Sequence, residues 1–111
     1  MQNLEEALAF SNYQITLTRQ KTLLRQTFEN DCLLGYSGGL FLVTPEFISG
    51  LDSLNKISRY VIDHNNNPIW VEEIADLKIK SINCYNDAVT KYGTAYSQLK
   101  TQRSVKSLAG L

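Results

Sequence analysis

Apolar side chains in the second half of the chain recur at intervals of three and four residues, and this spacing constrains the fold more than any other feature. The series is Ile82, Tyr85, Val89, Tyr92, Tyr96 and Leu99. Such spacing places one apolar stripe along a helix and predicts that the stripe lies lengthwise against another helix. A second series supplies the partner: Phe10, Tyr13, Leu17, Leu24 and Phe28. The sequence therefore predicts two long helices packed on each other.

Glycine and proline positions divide the chain into predicted elements. Residues 2–35 are expected to form one long helix that ends at Gly35, because glycine favours a left-handed helix end. Thr44 and Pro45 are typical of the first residues of a helix, so a short helix is expected over residues 45–54. The second long helix is expected over residues 72–103, followed by a frayed tail at 104–111.

Between the long helices, residues 36–71 are expected to contain a three-stranded antiparallel meander covered by the short helix. Leu40 to Val43 form an apolar run behind two glycines, which is typical of a strand. Two further strands are predicted around an asparagine-rich turn at residues 64–67. The predicted fold class is α+β, mainly α. It is a single domain of residues 1–111, an antiparallel, coiled-coil-like helical hairpin with the meander and short helix at its bend.

An antiparallel pairing within one chain requires contacting residues whose numbers add to a constant. Phe10 with Leu99, Tyr13 with Tyr96, Leu17 with Tyr92, and Leu24 with Tyr85 meet this condition. The register thus predicts that Tyr13 lies against Tyr96. It also predicts that Cys32 and Cys84 lie several residues apart along the bundle, too far apart for a disulfide, as buried free thiols.

Composition argues against two function classes. Eleven basic and eleven acidic residues give a formal net charge of zero, unlike a protein built to neutralise phosphates. No apolar run is long enough to span a membrane, and acidic residues stand where a secretory signal carries basic ones, so a soluble protein that stays inside the cell is expected. Nucleic-acid binding is kept as a weaker alternative because of basic residues on both helices: Arg19, Lys21, Arg25, Lys91, Lys100, Arg103 and Lys106.

The sequence contains no recognisable catalytic set, so no enzymatic activity is expected. His64 is the single histidine and lies in the asparagine-rich turn, without companions that complete a metal site. Ser37, Gly38 and Gly39 lack the later Gly-Lys-Ser/Thr of a phosphate-binding loop. We expect no cofactor and no metal.

Candidate interaction residues fall into three groups. The tyrosine stripe either packs within the monomer, with its hydroxyls reaching water, or seats helices of another copy; Gly93 is easier to tolerate in a helix if another backbone approaches there. The strands at the bend offer an apolar surface. The tail either frays or docks into a partner's groove. The candidate residues are Tyr85, Tyr92, Tyr96, Leu99, Tyr13, Phe41, Trp70, Val105 and Leu108.

Three stretches of the chain carry a resemblance: LEEALAFSNYQITLTRQKTLL, GYSGGLF and YSQLKTQRSVKSL. They resemble small uncharacterised proteins of contractile-tailed marine phages that infect cyanobacteria, over nearly the whole length. These words form no known functional motif, so the resemblance implies an origin and transfers no site residues. The architecture is also similar to that of a prefoldin subunit, a helical hairpin with strands at its bend.

The leading hypothesis is a non-enzymatic structural, assembly or accessory protein of a phage that acts through protein–protein contacts as a homo-oligomer. The alternative is an adaptor that binds a host protein through Trp70, Phe41 and the strands at the bend. The expected partners are a further copy of the chain and a phage or host protein, with no membrane. The expected location is the cytoplasm of the infected cell or the virion.

Overall fold

A computed structural model describes residues 3–54 and 59–108, with side chains for residues 4–54 and 59–103. Within these ranges the elements are α1 (Asn3–Asp31), β1 (Leu33–Tyr36), β2 (Gly39–Leu42), α2 (Pro45–Leu54), β3 (Tyr60–Ile62), β4 (Pro68–Trp70) and α3 (Ile74–Leu108). The molecule measures 69 × 23 × 21 Å, with a Cα radius of gyration of 20.5 Å. A compact domain of this length has a radius of about 13 Å, so this fold is strongly elongated.

The first long helix ends earlier than the sequence predicts. α1 stops at Asp31, and the residues expected to form its last turn form β1 instead. Ser37 and Gly38 have φ values of 51° and 84°, the positive values that a two-residue type I′ hairpin turn requires. β1 therefore pairs antiparallel with β2, from Leu33 with Leu42 to Tyr36 with Gly39. The predicted end at Gly35 is wrong because pairing with β2 determines the conformation of these residues.

The strands form two separate antiparallel hairpins within the described ranges, so the predicted three-stranded meander is not confirmed. β3 and β4 flank the asparagine-rich turn as expected, with Tyr60 opposite Trp70 and Ile62 opposite Pro68. β2 lies beside the turn of this hairpin: the His64 N–H donates to the Leu40 carbonyl at 2.7 Å. This backbone hydrogen bond joins the two hairpins at the place where the sequence predicts three paired strands.

The carboxylate of Asp63 holds the two hairpins together. Its oxygens accept hydrogen bonds from the backbone N–H groups of Asn67 at 2.8 Å, Asn65 at 3.0 Å and Leu40 at 3.1 Å. These donors, that of Asn67 foremost, lower the pKa of Asp63, because they stabilise its charged form. Asn66 has φ 64° at the tip of the turn, a conformation that asparagine tolerates.

The short helix α2 has the bounds that the sequence predicts. Thr44 Oγ1 accepts the Phe47 N–H at 3.0 Å and so caps its first turn. α2 then covers the bend core, whose buried side chains come from five elements and segments: Phe41, Leu51, Val61, Val71, Ile74 and Leu77. At the edge of this core the Tyr36 hydroxyl donates to Asp76 Oδ2 at 2.7 Å, and this bond raises the pKa of Tyr36 to about 12.

α1 packs antiparallel on α3 around a second core. The Phe28 ring stacks on Tyr92 at a centroid distance of 4.9 Å and meets Tyr85 edge-on at 6.0 Å. Cys32 and Ala88 complete this hairpin core. α3 thus contributes its first turns to the bend core and the following turns to the hairpin core. It continues to Leu108, past the end predicted at residue 103.

The predicted register between the two helices is wrong. The guanidinium of Arg103 lies 4.9 Å from the Tyr13 ring centroid, and Lys21 Nζ lies 5.8 Å from that of Tyr96, so Tyr13 and Tyr96 are not opposite each other. Tyr13 meets a residue seven positions beyond the expected one. A shift of one heptad keeps nearly the same helix faces in contact, which is why apolar spacing alone did not exclude it. The observed register brings Cys84 level with Asp31 and hence with Cys32, not several residues away.

Candidate interaction surfaces

The tyrosine stripe predicted on α3 divides into two rows. Tyr85 and Tyr92 turn into the hairpin core and Leu99 is only 7% exposed, so these three residues serve the fold of the monomer. The other three face solvent and are called here the α3 outer row: Ile82, Val89 and Tyr96. Between these rows, the small residues Ser81, Ala88 and Ala95 lie seven positions apart on α3 and are at least half-buried. Of the predicted stripe, only the outer row is available to a partner.

Basic side chains flank Tyr96 in the α3 outer row. Lys21 Nζ and Lys100 Nζ each lie 5.8 Å from the centroid of the Tyr96 ring. Arg25 Nε donates to Glu29 Oε1 at 3.1 Å. Arg103 is buried, and its Nε and Nη2 both donate to Gln20 Oε1. Two of the basic residues counted for nucleic-acid binding are therefore engaged within the monomer.

A compact apolar surface lies on the outward face of the β3–β4 hairpin. We call it the apex patch; its residues are Tyr60, Ile62, Pro68 and Trp70, all exposed. The Tyr60 and Trp70 rings are in edge contact at 5.1 Å. Glu72 accepts the indole N–H of Trp70 at 3.1 Å, and the Arg59 guanidinium lies 6.0 Å from the Trp70 ring. The predicted residue Trp70 is thus part of a larger aromatic patch with a polar rim.

Three of the predicted contact residues do not present an exposed side chain in the described structure. Phe41 is only 1% exposed and belongs to the bend core, so its inclusion in an interaction surface was wrong. It points inward because alternate residues of β2 face opposite sides. The backbone of Val105 and Leu108 is helical rather than frayed, and their side chains lie outside the described part of the structure.

Sequence reasoning missed a set of exposed apolar residues on α1. Leu4, Leu8, Ile15 and Leu23 are 64, 56, 48 and 60% exposed. They were overlooked because α1 already had one apolar series, and a helix that packs on one neighbour needs no second. A separate heptad count starting from Leu4 finds Leu4, Leu8 and Ile15, whereas Leu23 lies on a different face of the helix.

An open cleft of about 500 Å³ lies where α1, the β1–β2 hairpin and α2 meet. Arg25, Glu29, Glu46 and His64 contribute polar groups to its wall. Because Arg25 is paired with Glu29, the wall has no uniform charge and selects no one class of ligand.

Cys32 and Cys84 are both free, as the sequence predicts, but only Cys32 is buried; Cys84 is half-buried rather than buried as expected. Cys84 Sγ donates to the Asp31 carbonyl at 3.3 Å. Burial raises the pKa of the Cys32 thiol and that of the Cys84 thiol. Both are therefore protonated near neutral pH and poor nucleophiles.

Among the described residues, no three histidine, cysteine or acidic side chains cluster in a way that fits a metal ion. No helix in the same ranges is long and apolar enough to cross a membrane. No protein-family model, curated protein or solved structure matches the chain. The physical character of its surfaces is therefore the basis for assigning a function.

Proposed function

We propose that this chain is a non-enzymatic structural or assembly protein that works through protein–protein contacts as a self-associating helical hairpin. A phage setting follows from the sequence resemblance described above and is part of the proposal. The observation that carries it is the exposed apolar surface on the outer sides of both long helices, on α1 from Leu4 to Leu23 and on α3 from Ile82 to Tyr96.

This surface favours association because of its arrangement. Single exposed apolar residues are common on soluble proteins, whereas apolar residues repeated along one helix create a long apolar strip, here interrupted by small polar residues. The elongated shape, 69 Å long and about 22 Å across, gives each strip a long edge against which another helix can lie. Removing such strips from water is the main driving force for association.

The test is the mass of the purified protein in solution. Light scattering after size exclusion, from about 5 to about 200 µM, should give more than one copy per particle with a mass that grows with concentration. A constant mass of 12.6 kDa over the whole range contradicts the proposal. Tyr92→Glu is unsuitable for disrupting the oligomer, because Tyr92 stacks on Phe28 inside the monomer.

The apex patch favours a second candidate, an adaptor that binds another protein, from the phage or its host. Aromatic residues such as Tyr and Trp are enriched where binding energy concentrates. Trp70 is the single tryptophan, so its fluorescence reports on this patch alone. Proteins captured from cyanobacterial lysate, fractionated and titrated back, should shift the Trp70 emission to shorter wavelength. Loss of capture in Ile62→Asp but not in Ile82→Asp assigns the contact to the apex, and equal loss in both excludes it.

A further inference from the structure

We propose that the outward face of α1 is the seam of an antiparallel homodimer, in which the α1 helices of two copies pack along each other. This rests on the proposed function and specifies its surface and partner. The seam consists of six exposed residues, called here the α1 outer ladder: Leu4, Leu8, Ser11, Ile15, Thr18 and Thr22. Their spacing alternates four and three, as at the a and d positions of a coiled coil.

The α1 outer ladder lies on the side of α1 that α3 leaves uncovered. Leu4 and Tyr13, Leu8 and Leu17, and Ile15 and Leu24 are each nine residues apart. Nine residues are two and a half helical turns, so the members of each pair point in opposite directions. Tyr13, Leu17 and Leu24 are half-buried towards α3, whereas Leu4, Leu8 and Ile15 are exposed. Packing within the monomer therefore leaves the ladder free for a second helix.

Two of the three polar members of the ladder already use their hydroxyl protons within the helix. Thr18 Oγ1 donates to the Gln14 carbonyl and Thr22 Oγ1 to the Thr18 carbonyl, each at 2.9 Å. Because both hydroxyl protons are already satisfied within the helix, covering these side chains does not leave an unpaired donor. Their methyl groups add apolar surface to the seam.

Antiparallel pairing of two ladders gives layers of similar volume. Leu4 meets the partner's Thr22, Leu8 meets the partner's Thr18, and Ser11 meets the partner's Ile15. Two-fold symmetry repeats each layer, so every layer combines one aliphatic side chain with one small hydroxyl side chain. Even layers of this kind allow the helices to approach closely along the whole seam.

Charge complementarity favours a second copy in this orientation. Glu5, Asn12 and Arg19 are exposed, seven residues apart, and occupy the e positions beside the ladder. In an antiparallel pair, e positions face e positions. Glu5 then lies beside the partner's Arg19, Asn12 beside the partner's Asn12, and Arg19 beside the partner's Glu5. In a parallel pair these residues face the g positions, Ala7, Gln14 and Lys21, which provide no opposite charge for Arg19.

The test reverses these charges one at a time and then together. Glu5→Arg and Arg19→Glu should each weaken dimerisation about tenfold or more, because each replaces two attractions by two repulsions. The double variant should regain the wild-type dissociation constant, and an equimolar mixture of the two single variants should form heterodimers. Sedimentation equilibrium measures the dissociation constants of the dimers. Lys80→Glu, an exposed charge reversal on α3, is the matched control and should leave them unchanged.

Ile15→Asp provides a second, independent variant. It should give a monomer at about 100 µM, with the circular dichroism and thermal unfolding of the wild type at low concentration, because Ile15 is exposed in the monomer. An oligomer insensitive to Ile15→Asp and to both charge reversals overturns this inference and leaves the proposed function standing. A dimer that Ile15→Asp dissociates but the double charge variant does not restore excludes the antiparallel arrangement. A monomeric wild type overturns both proposals.

Discussion

The hydroxyl oxygen of Ser81 has no hydrogen-bond partner within the described residues, although the side chain is fully buried. Ala88, one heptad further along the same face of α3, is also buried but carries no polar side-chain atom. Serine at position 81 therefore pays a desolvation cost that alanine would avoid.

We expect Ser81→Ala to raise the free energy of unfolding by about 1 kcal/mol, because it removes a buried, unpaired hydroxyl and conserves the shape. Ala88→Ser is the matched control and should lower stability by a similar amount, since it buries a new hydroxyl on the same face of α3. Urea unfolding followed by circular dichroism measures both. If both substitutions change the free energy of unfolding in the same direction, burial of an unpaired hydroxyl does not account for the effect.

The lowered pKa of Asp63 predicts how the stability of the folded protein depends on pH. Its pKa is lowered in the folded state, so its contribution is present above the ordinary aspartate pKa and is lost as pH falls through the folded value. Asp63→Asn should lower the melting temperature near pH 7 and should make the further loss between about pH 5 and about pH 2 smaller than in the wild type. Melting curves across this range compare the two. Parallel curves would show that the Asp63 carboxylate is not linked to folding.

At the level of elements, the sequence was informative where one local rule decided the outcome. α2 has the predicted bounds because Thr44 and Pro45 define its start, and the β3–β4 hairpin follows from the asparagine-rich turn. The end of α1 and the helix register were missed because each depends on a partner distant in sequence. Likewise, a count that assigns one apolar stripe to each helix does not identify the small buried residues of α3 or the second apolar face of α1.

Substitutions at Gly93 and Gly39 separate the effect of helix propensity from that of tertiary packing. A Cβ added at Gly93 would meet nothing within 4 Å, so Gly93→Ala should stabilise α3 by about 0.5–1 kcal/mol through helix propensity. A Cβ at Gly39 would lie 2.6 Å from Ile69 Cγ1, so Gly39→Ala should destabilise the protein by about 1–3 kcal/mol through overpacking. Thermal unfolding distinguishes the two signs. If Gly93→Ala instead dissociates an oligomer, the backbone of another copy lies against this position.

The shape of the whole molecule makes the arrangement of the dimer measurable. The bend core lies at one end of a molecule 69 Å long, and the α1 outer ladder spans residues 4–22 towards the other end. Antiparallel pairing through the ladder therefore places the two bend cores at opposite ends of the dimer, whereas parallel pairing places them side by side.

Small-angle scattering distinguishes these two forms. The antiparallel dimer should have a maximum dimension of roughly 110 Å, because the two molecules overlap along little more than the ladder, about 27 Å at 1.5 Å per residue. Ile15→Asp should return this dimension to about that of the 69 Å monomer. A dimer that is no longer than the monomer would show parallel, side-by-side packing.

α3 contributes to both the bend core and the hairpin core, and this has a consequence for synthesis on the ribosome. Ile74, Leu77 and Ala88 emerge after every other element, so neither core is complete until α3 has left the exit tunnel. Until then a nascent α1 exposes two apolar faces, one of which belongs against its own α3. Neighbouring chains on one polysome can meet through either face, so the rate at which α3 is translated sets the window for mispairing.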